Sequence, residues 1–405
     1  MQTAYDPTPG SCQVILHENG EARRPCLVVA PKLHERPSRI AKDFALQDSQ
    51  FRKTRSFVSI ARHRGCSFVR GLSYALPGRC YRDLAHTAAS EREPMNDISV
   101  AVISYNTRAL LRQCVASVFA DGGGDVVVAD NGSTDGTVDM LRQEFGQVRV
   151  FVDRSNPGYG AASNAAIERC RSEYVLLLNS DTVVYPGALL ALRAYLDAHP
   201  RVAIVGPRLC NPDGSLQRSL HQFPTPLITL LDYSWVGPLL GRVPGLRKLY
   251  VASDPHDRAR PVPWVTGAAL AIRKSAFQSV GGFDASFFMY YEEVDLSYRL
   301  HKAGWETHFT PAAEVMHVGG ASTSQQRAPM YAQQIGAAIQ YSERYQSELG
   351  VMLTTFALRF SLASRLVGDT ARLALTRDRE RRRQLRDSVT LLRGMVRGPW
   401  RALAR

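Results

Sequence analysis

YVLLLNSDTVV, residues 174–184, is the stretch that decides how this chain folds. Tyr174 to Leu178 are apolar without a break, the pattern of a strand covered on both faces. They run straight into Asn179-Ser180-Asp181, a polar tip closed by a carboxylate. A carboxylate at the carboxyl end of a central strand faces the crevice where open α/β sheets collect ligands. There it is placed to hold a divalent cation and, through it, a diphosphate. Taken alone, the tripeptide reads as readily as a plain turn after a strand. What shares its edge of the sheet decides between the two.

Strand-like and helix-like segments alternate on either side of it. Ile98–Ser104, Asp125–Ala129, Val148–Val152 and Val202–Val205 read as strands; Arg108–Ala120, Thr137–Phe145, Ala161–Arg171 and Gly187–His199 read as helices. Short apolar strands with intervening helices predict an α/β fold, a mostly parallel sheet flanked by helices. In such a sheet Ser104-Tyr105-Asn106, Asp130-Asn131 and Asn179-Ser180-Asp181 all fall at strand carboxyl ends. Residues 211–262 hold seven prolines and predict a surface excursion over the site.

The charge is uneven. Of a net +13, residues 1–94 carry +6 and residues 351–405 carry +9, which leaves 95–350 at −2. Basicity confined to the ends argues against nucleic acid as a partner. It fits a near-neutral enzyme body with basic extensions that touch an anionic membrane surface. The expected organisation is three parts. Residues 1–94, without period, are either a disordered extension or a stretch from a start site placed too early; 95–345 are one catalytic domain; 346–405 are a basic helical tail. In that tail Phe356, Phe360, Leu362 and Leu366 recur at helical spacing among arginines, which suits a helix lying on a membrane or docked on the body. The seven cysteines, at 12, 26, 66, 80, 114, 170 and 210, form no CxxC pair, as expected in a reducing cytosol. MQTAYDPTPG lacks the apolar segment of a signal peptide, and no uninterrupted apolar run approaches the ~20 residues of a bilayer span. The expected place is the cytoplasm, including the inner face of the plasma membrane.

Three further constellations carry chemistry. In VVVADNGSTDGT (126–137) a strand ends at Asp130, which can accept from a nucleobase imide or a ribose hydroxyl; an Asx turn uses the same residue. In SNPGYGAASNAAI (155–167) Asn156, Gly158 and Asn164 surround a helix start suited to anions, or to tight packing. The block 265–305 brings Glu292, Glu293 and Asp295 to a helix start behind the aromatics Phe287–Tyr291. Helix-dipole and Arg299 pairing explain one or two acids there. Three beside an aromatic wall suggest a general base that deprotonates an acceptor hydroxyl. Trp264, with Gly267 close by, offers an acceptor wall or simply a core residue. His317 follows a strand-like segment and is a candidate second ligand for the cation at Asp181.

Taken together, ISVAVISYN, VVVADNGSTDGT, NPGYGAASNAAI, YVLLLNSDTVV and the TGAALAIRK…GGFD…YYEEVDLSYRLHKAGW block resemble family 2 glycosyltransferases, in particular the bacterial rhamnosyltransferase-like branch, over about residues 98–325. The resemblance implies a GT-A, Rossmann-like fold, a nucleotide-diphosphate sugar donor with dTDP-rhamnose favoured, Mg²⁺ or Mn²⁺, and inversion at the anomeric carbon. It also implies an acceptor that is a lipid-linked saccharide or glycan in cell-envelope polysaccharide synthesis. Carried over by motif, Ser104, Tyr105, Asn106, Asp130, Asn131, Asn156, Gly158 and Asn164 fall to the donor, and Trp264 and Gly267 to the acceptor. Asn179-Ser180-Asp181 fills the place of the DxD-type motif, with Asn179 where the first acid is usual and Asp181 on the metal beside His317. Glu293 stands where the family has the Asp of a Glu-Asp pair and is the expected base; Glu292 and Asp295 stay open. A sugar-phosphate nucleotidyltransferase would carry a Gly-rich, basic signature after the first strand, which SYNTRALLR (104–112) lacks. A non-catalytic homologue that binds nucleotide sugars is the remaining alternative.

Overall fold

The computed structural model describes residues 95–234, 256–320, 327–376 and 378–397. The expectations for 1–94 and for the centre of the Pro-rich stretch, 235–255, lie outside the described residues. The elements in chain order are β1 (Met95–Ser104), α1 (Arg108–Ala120), β2 (Gly123–Asp130), α2 (Thr137–Glu144), β3 (Arg149–Val152), α3 (Tyr159–Arg169), β4 (Tyr174–Asn179) and β5 (Thr182–Val184). Then come α4 (Ala188–Ala198), β6 (Val202–Cys210), β7 (Leu216–Gln217), β8 (Leu220–His221), α5 (Pro226–Tyr233), β9 (Arg260–Pro261), β10 (Trp264–Val265), β11 (Ala269–Arg273) and α6 (Lys274–Ser279). The remainder are α7 (Glu292–Lys302), β12 (Glu306–His317), α8 (Arg327–Tyr345), α9 (Glu348–Leu375) and α10 (Arg379–Arg397).

Both faces of β4 are covered, as its apolar run requires. Leu176 and Leu178 point into one core with Leu111, Val115 and Val118 of α1 and Leu189, Leu192 and Leu196 of α4. Val175 and Leu177 point into a second with Ala162, Ala166 and Ile167 of α3 and Leu296 and Leu300 of α7. Alternation with period 2 sends neighbouring side chains to opposite faces, so two apolar layers demand an unbroken apolar strand. The result is a helix–sheet–helix sandwich.

The main sheet runs β3-β2-β1-β4-β11-β6-β12-β5. Its first four strands are mutually parallel. Strand β11 is then inserted antiparallel to both β4 and β6, and β12 pairs parallel with β6. The sheet is therefore mixed, with the parallel half as expected and one reversed strand that apolar content alone does not announce. From β1 the chain builds outward to β2 and β3 and then returns to place β4 on the other side of β1. That reversal opens a crevice beyond the ends of β1 and β4, where such sheets bind ligands.

By packing, α9 and α10 are not an appendage. Leu358 and Leu362 of α9 and Leu392 and Met395 of α10 share one cluster with Ala332, Ile335, Ala338 and Ile339 of α8. Phe356 and Phe360, on the other side of α9, stay exposed at 67% and 48%. One helical stripe is thus docked and the opposite one is open. By length and composition α9 is also long and apolar enough to cross a membrane, which a search for uninterrupted apolar runs does not reveal. Among the described residues Cys114, Cys170 and Cys210 are free and buried, and burial pushes their thiols up to about 12, 12 and 11, so they serve as apolar filler.

Candidate active site

Six segments meet at one edge of the sheet. Ser104 of β1 is in register with Asp130 of β2, and Ile103 with Asn179 of β4, so three polar tips emerge side by side. Strand β11 runs against β4, which brings the residues just before it to the same edge; the Asn179 N–H donates to the Ala268 carbonyl at 3.0 Å. Strand β12 ends here too, with His317 in register with Thr182. Helix α7 begins here with Glu292 and Glu293. Together they line a cleft of about 320 Å³, within the range of small-ligand sites.

At one end of the cleft, Nε2 of His317 stands 3.3 Å from Oδ1 of Asp181. The ring's orientation is set from behind. Nε2 of Gln217 donates to Oδ1 of Asn211 at 2.9 Å and to the His317 carbonyl at 3.2 Å, which turns Oε1 of Gln217 towards Nδ1 of His317 at 2.7 Å. Nδ1 is therefore the donor, and in the neutral ring the lone pair of Nε2 faces the carboxylate. An imidazole nitrogen and a carboxylate oxygen that face each other are donor types that could hold a divalent cation. Among the described residues no cluster of three or more His, Cys, Asp or Glu could hold a metal. A Mg²⁺-type ion held by one or two protein groups and by substrate phosphates fits that small donor set.

Elsewhere in the cleft are two carboxyls. Tyr290 and Tyr291 both adopt φ of 69°, a left-handed pair that turns the chain sharply into α7. Glu292 is buried and Glu293 half-buried, and each keeps a buried Oε2 without a partner. Burial, and then the charge of Glu293, pushes the Glu292 carboxyl well above the usual range. Burial also raises Glu293, against hydrogen bonds from backbone N–H groups that include Gly267, whose N–H donates to its Oε1 at 3.4 Å. Glu292 is therefore pushed towards its protonated form more strongly than Glu293. Tyr159 stands beside them and donates from its hydroxyl to the Gly267 carbonyl at 2.9 Å. The buried Oδ1 of Asn131 also lacks a partner, and Asn131 lines the cleft.

Of the residues expected from sequence, Ser104, Tyr105, Asn131, Asn156, Asn179, Asp181, Gly267, Glu292, Glu293 and His317 all line this cleft. The six others do not line it, and each has partners within the protein. Asp130 accepts from the Ser133 N–H at 2.8 Å and from the Ser133 hydroxyl at 2.6 Å, the Asx-turn use of that residue. Asn106 accepts from the Thr134 N–H at 2.8 Å and ties the first two loops together. Gly158 packs rather than binds: a Cβ there would lie 2.3 Å from the Phe288 carbonyl oxygen. Asn164 clamps Phe283, donating to its carbonyl and accepting from its N–H. Trp264 stacks on His221 with ring centroids 4.0 Å apart and donates to the Gln222 carbonyl. Asp295 is fully buried and paired with Arg299, Arg344 and the Tyr345 hydroxyl, away from the cleft lining. Tyr290, from the aromatic wall expected at 287–291, lines the cleft as well; sequence reasoning missed Tyr159, Thr266 and Met330, which also line it. Tyr159 had a visible signal, a large ring set between Gly158 and Gly160; Met330, on a helix far along the chain, had none.

Comparison with known proteins gives a consistent result. The family model described as glycosyl transferase family 2 matches residues 99–281, and that of glycosyl transferase family group 2 matches residues 251–376. The chain is 36% identical over 248 residues to the N-acetylglucosaminyl-diphospho-decaprenol L-rhamnosyltransferase of Mycobacterium tuberculosis, covering 58% of this chain and 80% of that protein. It is 25% identical over 231 residues to the rhamnosyltransferase WbbL of Escherichia coli, covering 54% of this chain and 83% of that one. Among solved structures, a mannosyltransferase from Pyrobaculum calidifontis, in complex with GDP-Man and Mn²⁺, aligns with a TM-score of 0.45 and 16% identity over 76% of this chain and 85% of that one.

Proposed function

Because the chain belongs to glycosyl transferase family 2, we propose that it transfers rhamnose from dTDP-rhamnose to a lipid-linked saccharide at a membrane surface, with inversion and with the help of Mg²⁺ or Mn²⁺. The observation that carries this reading is one cleft holding a facing Asp181–His317 pair and a raised Glu292–Glu293 pair. The names of two relatives, both rhamnosyltransferases, support the sugar, and the first of them names a diphospho-lipid acceptor.

Asp181 and His317 are the residues that would hold the cation. When bound, it supplies positive charge to the diphosphate as that group leaves, a Lewis-acid effect of several kcal/mol. The orphaned acceptor of Asn131 is suited to take an N–H or O–H of the donor. Glu293 is the base. It takes the proton of the acceptor hydroxyl while that oxygen attacks the anomeric carbon from the face opposite the diphosphate, and the bond to the diphosphate breaks with its electron pair. A carboxyl raised by burial is a stronger base once ionised, and protonated Glu292 beside it spares it a like charge.

A thermal-shift panel tests the donor. dTDP-rhamnose with Mn²⁺ should raise Tm more than UDP- or GDP-sugars do, because stabilisation follows affinity. A larger shift with another nucleotide sugar would replace rhamnose in this proposal.

A further inference from the structure

The described residues leave ten large apolar side chains exposed, and seven lie on α9. They are Leu349, Met352, Leu353, Phe356, Phe360, Val367 and Leu375. Their spacing of three and four, with multiples of that, puts them on one side of a helix about 42 Å long. Phe356 and Phe360 stack with ring centroids 6.4 Å apart, and the exposed Arg359 sits between them in sequence. The opposite side of α9 is occupied by Thr354, Ala357, Leu358, Ser361 and Leu362, all buried. Beside it packs α10, which has seven arginines against two acids. The active cleft does not use this face.

We propose that the open face of α9 lies in the plane of an anionic lipid bilayer, with its aromatic and aliphatic side chains below the headgroups and the neighbouring arginines among them. This rests on the reading that the acceptor is lipid-linked, and it names the surface that brings the enzyme to that acceptor. Three features select this occupant. The stripe is rich in aromatic and long aliphatic groups and runs beside an excess of arginine, the composition of interfacial helices drawn to anionic lipid. A second copy on a two-fold axis would set α9 and its arginine-rich neighbour against themselves, so like charges would meet at the rim. A membrane-crossing arrangement would tear Leu358 and Leu362 from the cluster they form with α8 and α10. The helix therefore lies flat.

The test is co-sedimentation of the full chain, without substrates, with phosphatidylcholine vesicles and with vesicles that also contain phosphatidylglycerol. The chain should partition onto the anionic vesicles and be released by high salt. The double variant Phe356→Ser, Phe360→Ser should lose about tenfold or more in partitioning. Both positions are exposed, so Tm and the donor-induced thermal shift should stay at wild-type values. Phe356→Trp should show a blue-shifted emission on anionic vesicles. No sedimentation of the wild type, undiminished binding by the double variant, or equal binding to neutral vesicles would overturn the proposal. So would sedimentation velocity showing a dimer that the double variant dissolves. Vesicle binding without any sugar transfer to lipid acceptors would refute the enzymatic reading and leave the docking surface standing.

Discussion

Glu292 and Glu293 are neighbours in sequence with unequal fates, and the difference is measurable. Glu293→Gln should lower turnover by about 10²–10⁴-fold while donor-induced thermal stabilisation persists. Glu292→Gln should leave far more activity, since a protonated carboxyl and an amide are close in shape and charge. If Glu292→Gln proves the more damaging of the two, the roles are reversed. The pair also ties stability to pH. Both carboxyls are raised by burial, so the folded chain holds protons that the unfolded chain has already lost. That makes stability fall as pH rises from the ordinary carboxyl range through the raised folded values. The Tm advantage of Glu292→Gln over wild type should therefore grow as pH rises above the ordinary carboxyl range of about pH 4, as differential scanning calorimetry would show. At the other end of the cleft, Gln217 fixes the imidazole of His317. Gln217→Leu should weaken Mn²⁺ binding by about 10–100-fold by calorimetry. Gln217 could not be singled out from sequence, because its role exists only once β7 has paired with β6.

At the scale of elements, the strand ends were legible because parallel strands and period 2 oblige their tips to share an edge. The join between α3 and the segment ahead of α7 was not. Gly158 looked like part of an anion-binding helix start, yet its φ of +91° and its contact with Phe288 make it a spacer. The Tyr159 N–H donates to the Phe288 carbonyl at 2.8 Å, so this contact sets where Glu292 and Glu293 begin. Gly158→Ala should force that backbone away, at a loss of about 1–3 kcal/mol in chemical denaturation and a fall in turnover. Asp295 shows the opposite failure. Its helix-start position matched that of a base, and only the distant Arg344 and Tyr345 reveal that it anchors α8 to α7.

For the molecule as a whole, class and layering followed from the apolar strands, whereas strand order and the reversal of β11 did not, because a buried strand looks the same in either direction. The separation of 346–405 from the body followed a change in composition that reflects only the solvent side of α9 and α10. Their buried side completes the cluster on α8. Ending the chain at residue 345 should uncover Ile335 and Ile339, and the shortened protein should appear mainly in the insoluble fraction on expression. The pairing of Asp181 with His317 has a last consequence, for the timing of assembly. One partner follows β4 and the other ends β12, the final strand of the main sheet in chain order, so neither half of the chain can chelate an ion by itself. Mn²⁺ uptake would then act as a clock during refolding, lagging behind the recovery of helical ellipticity and marking the moment when the last strand docks.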